Sequence, residues 1–428
     1  MSNQHRRDAY ATRAWRQVVT PHEDIRRGRF DASVFAADLG EVIAGRGAVD
    51  YRDPAVFFNK TYLTAGLSDL LTGVVRRLAG HKDGEPVVQM QTPFGGGKTH
   101  TLLAIYHLLN DPKRSANLAP VKKLIADAEL KAIPNARVAC LVGTAMDVAS
   151  DRTMWGDLAH QLGGASLYKL IAEADKAKTA PGTNLLGEVL EKAGPCVILM
   201  DEILVYLVNA GNIGVGDATL RGSTLSFLQQ LTIAVSNCPH AVLVATLTSQ
   251  VSEWLETEGA ERVYKSLEKV FGRIEKVKLP VEGMEIYEVI RRRLFEDLGD
   301  EQEHERTVDA YYGKYRALGD DVSQAVKEPA YKQNMLAAYP FHPELLTTLY
   351  ERWGFDARFP TDARRAAAAR VCRERPVQPQ GQRAPDPIVQ RQPWRQRDSW
   401  RTSQVRRERV PQRGRQRHRR AGCQVAGH

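Results

Sequence analysis

Thr92-Pro93-Phe94-Gly95-Gly96-Gly97-Lys98-Thr99 lies between a short apolar run, Val87–Gln91, and a helix-like segment, Thr99–Leu109. A strand that passes through consecutive glycines into Lys-Thr and a helix is the context a Walker A phosphate loop requires. Glycines let the backbone take positive φ and approach an anion closely. Successive amides and the helix N-terminus then supply donors. On this reading Thr92, Pro93, Phe94, Gly95, Gly96, Gly97, Lys98 and Thr99 bind a nucleotide. Lys98 reaches the β and γ phosphates, where it also serves catalysis, and the Thr99 hydroxyl binds Mg²⁺. The usual pattern begins with Gly; Thr92 stands there instead, so Gly95, Gly96 and Gly97 carry the loop's freedom. The plainer alternative is a glycine-rich turn that happens to precede Lys-Thr.

A second motif argues against that alternative. Val197-Ile198-Leu199-Met200-Asp201-Glu202 is an apolar strand ending in two carboxylates. Parallel strands buried on both faces are apolar throughout, and ligands of such sheets bind at their carboxyl ends. Asp201 is expected to hold Mg²⁺ through water and Glu202 to polarise the attacking water. Positioning and charge neutralisation supply most of the rate in phosphoryl transfer. A third strand, Ala241–Leu247, leads into Thr248, Ser249 and Gln250; Thr248 is the expected γ-phosphate sensor. Arg273, between a helix and the run Ile274–Leu279, is the expected arginine that reaches a neighbouring subunit's site, the alternative being a surface arginine bonded to its own chain. Arg262, Arg291, Arg292 and Arg293 read as solvated helix faces.

Outward from these motifs, strand-like runs at Val87–Gln91, Val138–Val142, Cys196–Met200, Ala241–Leu247 and Ile274–Leu279 alternate with helix-like segments at Thr99–Leu109, Leu185–Ala193, Leu225–Val235 and Ala260–Phe271. That rhythm predicts an α/β fold, a parallel five-stranded sheet between helices. The predicted organisation is a helical N-terminal region at 1–85, a phosphate-loop core at 86–282, a helical lid at 283–359 and an Arg/Gln/Pro-rich tail at 360–428. The whole chain carries +9, but the tail holds 18 Arg, no Lys and 5 acidic residues, so residues 1–359 carry −4. Nucleic-acid binding argued from charge would rest on the tail alone. Five scattered cysteines without CxxC spacing argue against zinc and a disulfide framework. No apolar run is long enough to span a bilayer, and the polar start Met1–Tyr10 lacks a secretory signal, so a cytoplasmic protein is expected.

The order of these motifs resembles that of AAA+ ATPases from about Val87 to Trp353. More narrowly, three stretches resemble a large bacterial and archaeal family of ATPases often encoded beside adenine-specific DNA methylases in defence-type gene clusters. They are Phe58-Asn59-Lys60-Thr61-Tyr62-Leu63-Thr64, Thr92 through Thr99 with His100, and Tyr339-Pro340-Phe341-His342-Pro343-Glu344-Leu345. The resemblance implies a five-stranded sheet with the Walker A strand central, ATP and Mg²⁺ as cofactors, and a homo-oligomeric ring. By family analogy it also implies a DNA methylase or helicase partner and a role in DNA-linked phage defence. It extends the nucleotide-binding segment to His100, although chemically His100 and His342 each read as structural.

After Phe359 the chain changes character: lysine vanishes and no helical or strand period survives. A disordered basic arm that binds nucleic acid is one reading. The family resemblance supports another. There, Arg-Trp-Gly is followed by a segment like F-Q-R-T-R-G-V-L-R-L-L, and a single-nucleotide frameshift converts such a segment into the run that follows Phe359. The tail would then be a frameshift product and the lid truncated. The expected function is Mg²⁺-dependent ATP hydrolysis coupled to remodelling of a partner. The alternatives are a nucleotide-gated binding module with little turnover and a nucleic-acid-binding protein acting through its basic tail.

Overall fold

Four strands, β1 (Val87–Thr92), β2 (Arg137–Val142), β3 (Cys196–Asp201) and β4 (Ala241–Thr248), form one parallel sheet in the order β1-β4-β3-β2. The computed structural model describes residues 12–27, 37–92, 97–248, 258–271 and 285–348. The sequence reading expects five strands. Among the described residues this sheet has four, and the fifth run, Ile274–Leu279, lies outside them. Strand β1, which the sequence reading expects to lead into a phosphate loop and to stand at the centre, is therefore at one edge of the described sheet.

Successive strand residues point to opposite faces, and each face meets its own helical layer. Ala139, Leu141, Ile198, Met200, Leu243 and Ala245 pack against α4 (Met154–Lys176), α5 (Thr183–Ala193), α6 (Ile203–Ala210), α7 (Leu220–Asn237) and α8 (Glu258–Phe271). Cys140, Val142, Val197, Leu199, Val242 and Val244 pack against α1 (Pro54–Lys60), α2 (Ala65–Leu78), α3 (Lys98–Asn110) and the helix Ala119–Asp127. The result is a three-layer α/β/α arrangement in which all six residues of β3 are buried. A run buried on both faces has no reason to alternate, which is why the strands read as continuous apolar stretches.

Helix α4 is absent from the sequence reading. Its middle carries Gly163 (φ −162°, ψ 22°) and Gly164 (φ 61°, ψ −151°), both outside helical geometry. The paired glycines mask two helical halves as a loop.

Residues 37–85 share one core with the sheet: Tyr51, Phe57, Phe58, Leu67 and Leu71 join Val88, Met90, Leu102 and Leu103. A second unit lies at the other end of the chain. Trp15, Val19 and Ile25 pack with Tyr287, Ile290, Leu294 and Phe295 on and after α9 (Glu285–Leu294), and, beyond α10 (Glu301–Ala317), with Ala338 at the end of α11 (Pro329–Ala338) and Tyr339 and Phe341 after it. Thr20 and Pro21 pair antiparallel with Asp297 and Phe295. Among the described residues no helix is long and apolar enough to cross a membrane.

Arg291 and Arg293 depart from the sequence reading. Their side chains are 13% exposed, not solvated, because α9 lies against the segment around Asp50.

Candidate functional site

The carboxyl ends of β1, β3 and β4 meet at one edge of the sheet. Thr92 pairs in register with Thr248, and Met200 with Ala245, which sets Asp201 beside Thr246. Gly97, at φ 84°, turns the chain left-handed into α3 and provides no side-chain cap, so Lys98 and Thr99 open the helix. Only glycine takes that conformation at little cost. Thr101 Oγ1 returns a hydrogen bond to Gly97 O at 3.0 Å and fixes the turn.

Asp201 is 4% exposed, and both its oxygens accept hydroxyl donors. Thr99 Oγ1 donates to Oδ2 at 2.9 Å, and Thr246 Oγ1 donates to Oδ1 at 2.5 Å. Burial pushes the Asp201 carboxyl up to about 6; the bonds from Thr246 and Thr99 pull against that shift. Burial likewise pushes the Lys98 ammonium down to about 8, partly offset by the negative charge of Asp201 and Glu202. Two residues 103 positions apart in sequence thus act on one another electrostatically across two strand ends. Removing charge from water disfavours the charged form of each, and a bound ion of opposite sign reverses that preference.

Glu202 follows in the left-handed region, φ 52° and ψ 32°, at the N-cap of α6. The turn carries its side chain away from Asp201 to the exposed side, where Thr144 Oγ1 donates to Oε2 at 2.9 Å. Gly143, between β2 and Thr144, donates its N–H to Asp201 O at 2.8 Å. A Cβ on Gly143 would lie 2.2 Å from Glu202 O and 2.9 Å from Ile203 Cα, so this approach requires glycine.

The sequence-predicted residues Lys98, Thr99, Asp201 and Glu202 therefore converge. Thr92 and Thr248 end their strands opposite one another. Pro93, Phe94, Gly95, Gly96 and Arg273 lie outside the described residues. Sequence reasoning passed over Thr144 and Thr246. The available signal was a threonine within or just past an apolar strand, at the level of the carboxylate pair.

His100 points elsewhere. Its ring stacks on Phe57 at 4.5 Å and 30° and meets Tyr51 edge-on at 6.2 Å. Thr61 Oγ1 gives its one proton to Phe57 O at 2.7 Å, so His100 Nε2–H donates to Thr61 Oγ1 at 3.0 Å. His342 caps the helix Pro343–Thr347: its Nδ1 accepts from Glu344 N, and its Nε2 meets Tyr315 Oη at 2.9 Å. Burial pushes His342 below the ordinary imidazole range. Both histidines are structural in these settings. Among the described residues no group of three or more His, Cys, Asp or Glu is arranged to hold a metal ion.

Among known families, the DUF499 N-terminal domain matches residues 18–286. No curated protein and no solved structure matches the chain.

Proposed function

The chain belongs to the DUF499 family, and from that premise we propose that it is a P-loop ATPase of the AAA+ type. The single observation that supports this best is the meeting of Thr99 and Thr246 on the two oxygens of buried Asp201, with Lys98 opening the same helix. A hydroxyl and one carboxylate suit Mg²⁺, which takes few protein ligands and completes its octahedron with water and phosphate oxygens. The charges fit as well. A triphosphate beside Lys98 holds the ammonium protonated, and a divalent cation beside Asp201 holds the carboxylate ionised, each opposing what burial does to the group alone.

Thr99 and Asp201 would hold the magnesium ion, which when bound would neutralise negative charge on the triphosphate. The amides that open α3 and the Lys98 ammonium bind the triphosphate. Glu202, turned out by its left-handed backbone, accepts a proton from the attacking water and orients it. Thr144 fixes the Glu202 carboxylate by the bond to Oε2. A second reading, a nucleotide switch with little turnover, draws on that same bond, because Thr144 occupies part of the Glu202 carboxylate that would otherwise take up water. We extend the first reading to remodelling of a partner, with the unit built on Trp15–Ile25 and Glu285–Phe341 as the moving part.

Titration with fluorescent ATP, with Mg²⁺ and with EDTA, tests the site. Binding should require Lys98 and weaken on chelation; a Lys98→Ala variant that binds as the parent does would remove the proposal. A phosphate-release assay on Glu202→Gln separates the two readings. Loss of turnover with retained binding marks an enzyme, whereas no turnover in either protein marks the switch.

A further inference from the structure

The contact between α9 and the sheet unit is polar where the cores on either side are apolar. Asp50 Oδ2 accepts from Lys60 Nζ at 2.9 Å and from Arg293 Nη1 at 2.9 Å. Lys60 Nζ also reaches Asp24 Oδ2 at 3.2 Å. The side chains of Lys60, Asp50 and Arg293 are only 13%, 14% and 13% exposed, so this is an ion cluster withdrawn from water. Around it Arg292 Nη2 donates to Asn59 Oδ1 at 3.3 Å, and Ala65 N, at the start of α2, donates to Glu285 Oε1 at 2.7 Å. Asp24 Oδ1, on the partner of Lys60, and Arg291 Nε, two residues before Arg293 on α9, are buried without hydrogen-bond partners. An interface of paired charges with unsatisfied atoms is one that can open without exposing a hydrophobic core.

The same cluster touches the phosphate-loop helix through one ring. Tyr51, 3% exposed, carries the Arg293 guanidinium over its face at 5.3 Å and the edge of His100 at 6.2 Å. His100 bonds Thr61, the neighbour of Lys60. His100 is the residue after Thr99, so the first turn of α3 and the last turn of α9 are two contacts apart through Tyr51 and three through Thr61, Lys60 and Asp50.

We propose that Asp50, Lys60 and Arg293 form a latch that holds the helical unit of α9 against the sheet, and that His100 ties its closure to occupancy of the phosphate loop. The proposal rests on the nucleotide-binding reading for its second half only. Both halves need the contacts to behave as one two-state element, since spatial intermediacy alone does not establish coupling.

Hydrogen–deuterium exchange on the full chain tests it. Without nucleotide, Asp50→Asn, Arg293→Gln and His100→Ala should each raise exchange of the 285–294 amides roughly tenfold or more, because each leaves a buried charge or ring partner unmatched. The β3 amides should keep their parent rate and report that the sheet remains folded. Should Asp50→Asn unfold β3, Arg293→Gln carries the test from the opposite side of the contact. With a saturating non-hydrolysable ATP analogue and Mg²⁺, exchange at 285–294 should change in the parent and stay unchanged in Asp50→Asn, which still binds the analogue. Parent-like exchange at 285–294 in Asp50→Asn and Arg293→Gln would overturn the latch. A silent His100→Ala, or a nucleotide response that survives Asp50→Asn, would overturn its tie to the loop. A parent chain that binds no nucleotide would remove both the ATPase reading and the tie, and the nucleotide-free measurements would still decide the latch.

Discussion

Replacing Gly143 with alanine adds one carbon, and the structure says where it must go. The new Cβ would sit 2.2 Å from Glu202 O, 2.8 Å from Glu202 C and 2.9 Å from Ile203 Cα, all backbone atoms that no rotamer change can clear. Reaching a 3.0 Å contact means parting the end of β2 from the Glu202 turn by about 0.8 Å, the shortfall in the tightest of the three distances. Two consequences follow. Overpacking of this kind costs about 1–3 kcal/mol, more than the fraction of a kcal/mol that Gly→Ala recovers by stiffening the unfolded chain. The shift also acts along the bond from Thr144 Oγ1 to Glu202 Oε2, now 2.9 Å, and a catalytic group displaced by about 1 Å can lose on the order of 100-fold in rate. The three atoms nearest the new Cβ belong to Glu202 and Ile203, not to Lys98 or Thr99, so nucleotide affinity should hold on the proposed reading. The assays are urea denaturation, ATP titration and phosphate release on one preparation. The reasoning fails if Gly143→Ala keeps the parent's stability and turnover. It fails differently if affinity and turnover fall together, because the damage would then have reached the phosphate loop.

Three further outcomes follow from the structure. Thr246→Val keeps the shape but removes the donor 2.5 Å from Asp201 Oδ1, and should lower stability by about 1–3 kcal/mol in urea, the usual effect of stripping a bond from a buried charge. Arg77 is 7% exposed and donates to the carbonyls of Ala241, Gly84, Val235 and Cys238; Arg77→Met should cost about 3–5 kcal/mol, and Arg77→Lys should not restore it, since one ammonium cannot reproduce the planar fork. Burial pushes His107 below the ordinary imidazole range, against the pull of its bond to Tyr51 O, and burial pushes His22 and His342 the same way. Each is therefore protonated more readily when unfolded. Their contribution to stability should be level above the ordinary imidazole pKa of about 6.5 and fall as the pH drops below it, by up to about 1.4 kcal/mol per pH unit for each group, while Asp201, raised to about 6, contributes in the opposite sense below that pH and Lys98, lowered to about 8, adds stability only as the pH rises above that value. Urea midpoints between pH 8 and 5 would show it, and a curve that flattens in His107→Gln assigns one part of the slope; a midpoint that rises on acidification would contradict the sign.

The strands were legible because burial on both faces leaves no reason for a polar residue, and Cys196–Asp201 reads that way to its last position. The two charged motifs were legible because each sits where an apolar strand stops. Thr144 and Thr246 were not, since no spacing links them to Asp201 or Glu202; only the register of β2, β3 and β4 does. The kinked α4 was hidden by Gly163-Gly164, where Gly163 also has to make room, its Cβ position lying 2.3 Å from Leu167 Cγ. Arg291–Arg293 looked like a solvated stripe because three consecutive arginines on an amphipathic helix usually are one. Asn59 and Asp50, the partners of Arg292 and Arg293, come from more than 200 residues earlier. Trp15, Val19 and Ile25 share the core of α9 for the same reason: pairing across the length of the chain leaves no local pattern.

Adjacent carboxylates normally share an environment, and Asp201 and Glu202 do not. Had the strand continued for one more residue, Glu202 would have pointed to the opposite face of the sheet and into a helical layer. The left-handed turn at φ 52° prevents that at a cost of about 1–2 kcal/mol for a residue with a Cβ. What it gains is a division of labour. Asp201 stays between Thr99 and Thr246 in a dry setting that favours its neutral form unless a cation is near. Glu202 is delivered to the exposed side, against Thr144, where water has access. The close approach of Gly143 to the Glu202 carbonyl is the other half of the device, since a bulkier residue there would push the turn back toward the strand. Strain of this kind persists where surrounding structure over-determines it. Here β2, β3 and α6 all converge on one peptide, so the backbone sets the direction in which the Glu202 side chain leaves the sheet, and the bond from Thr144 holds its carboxylate there.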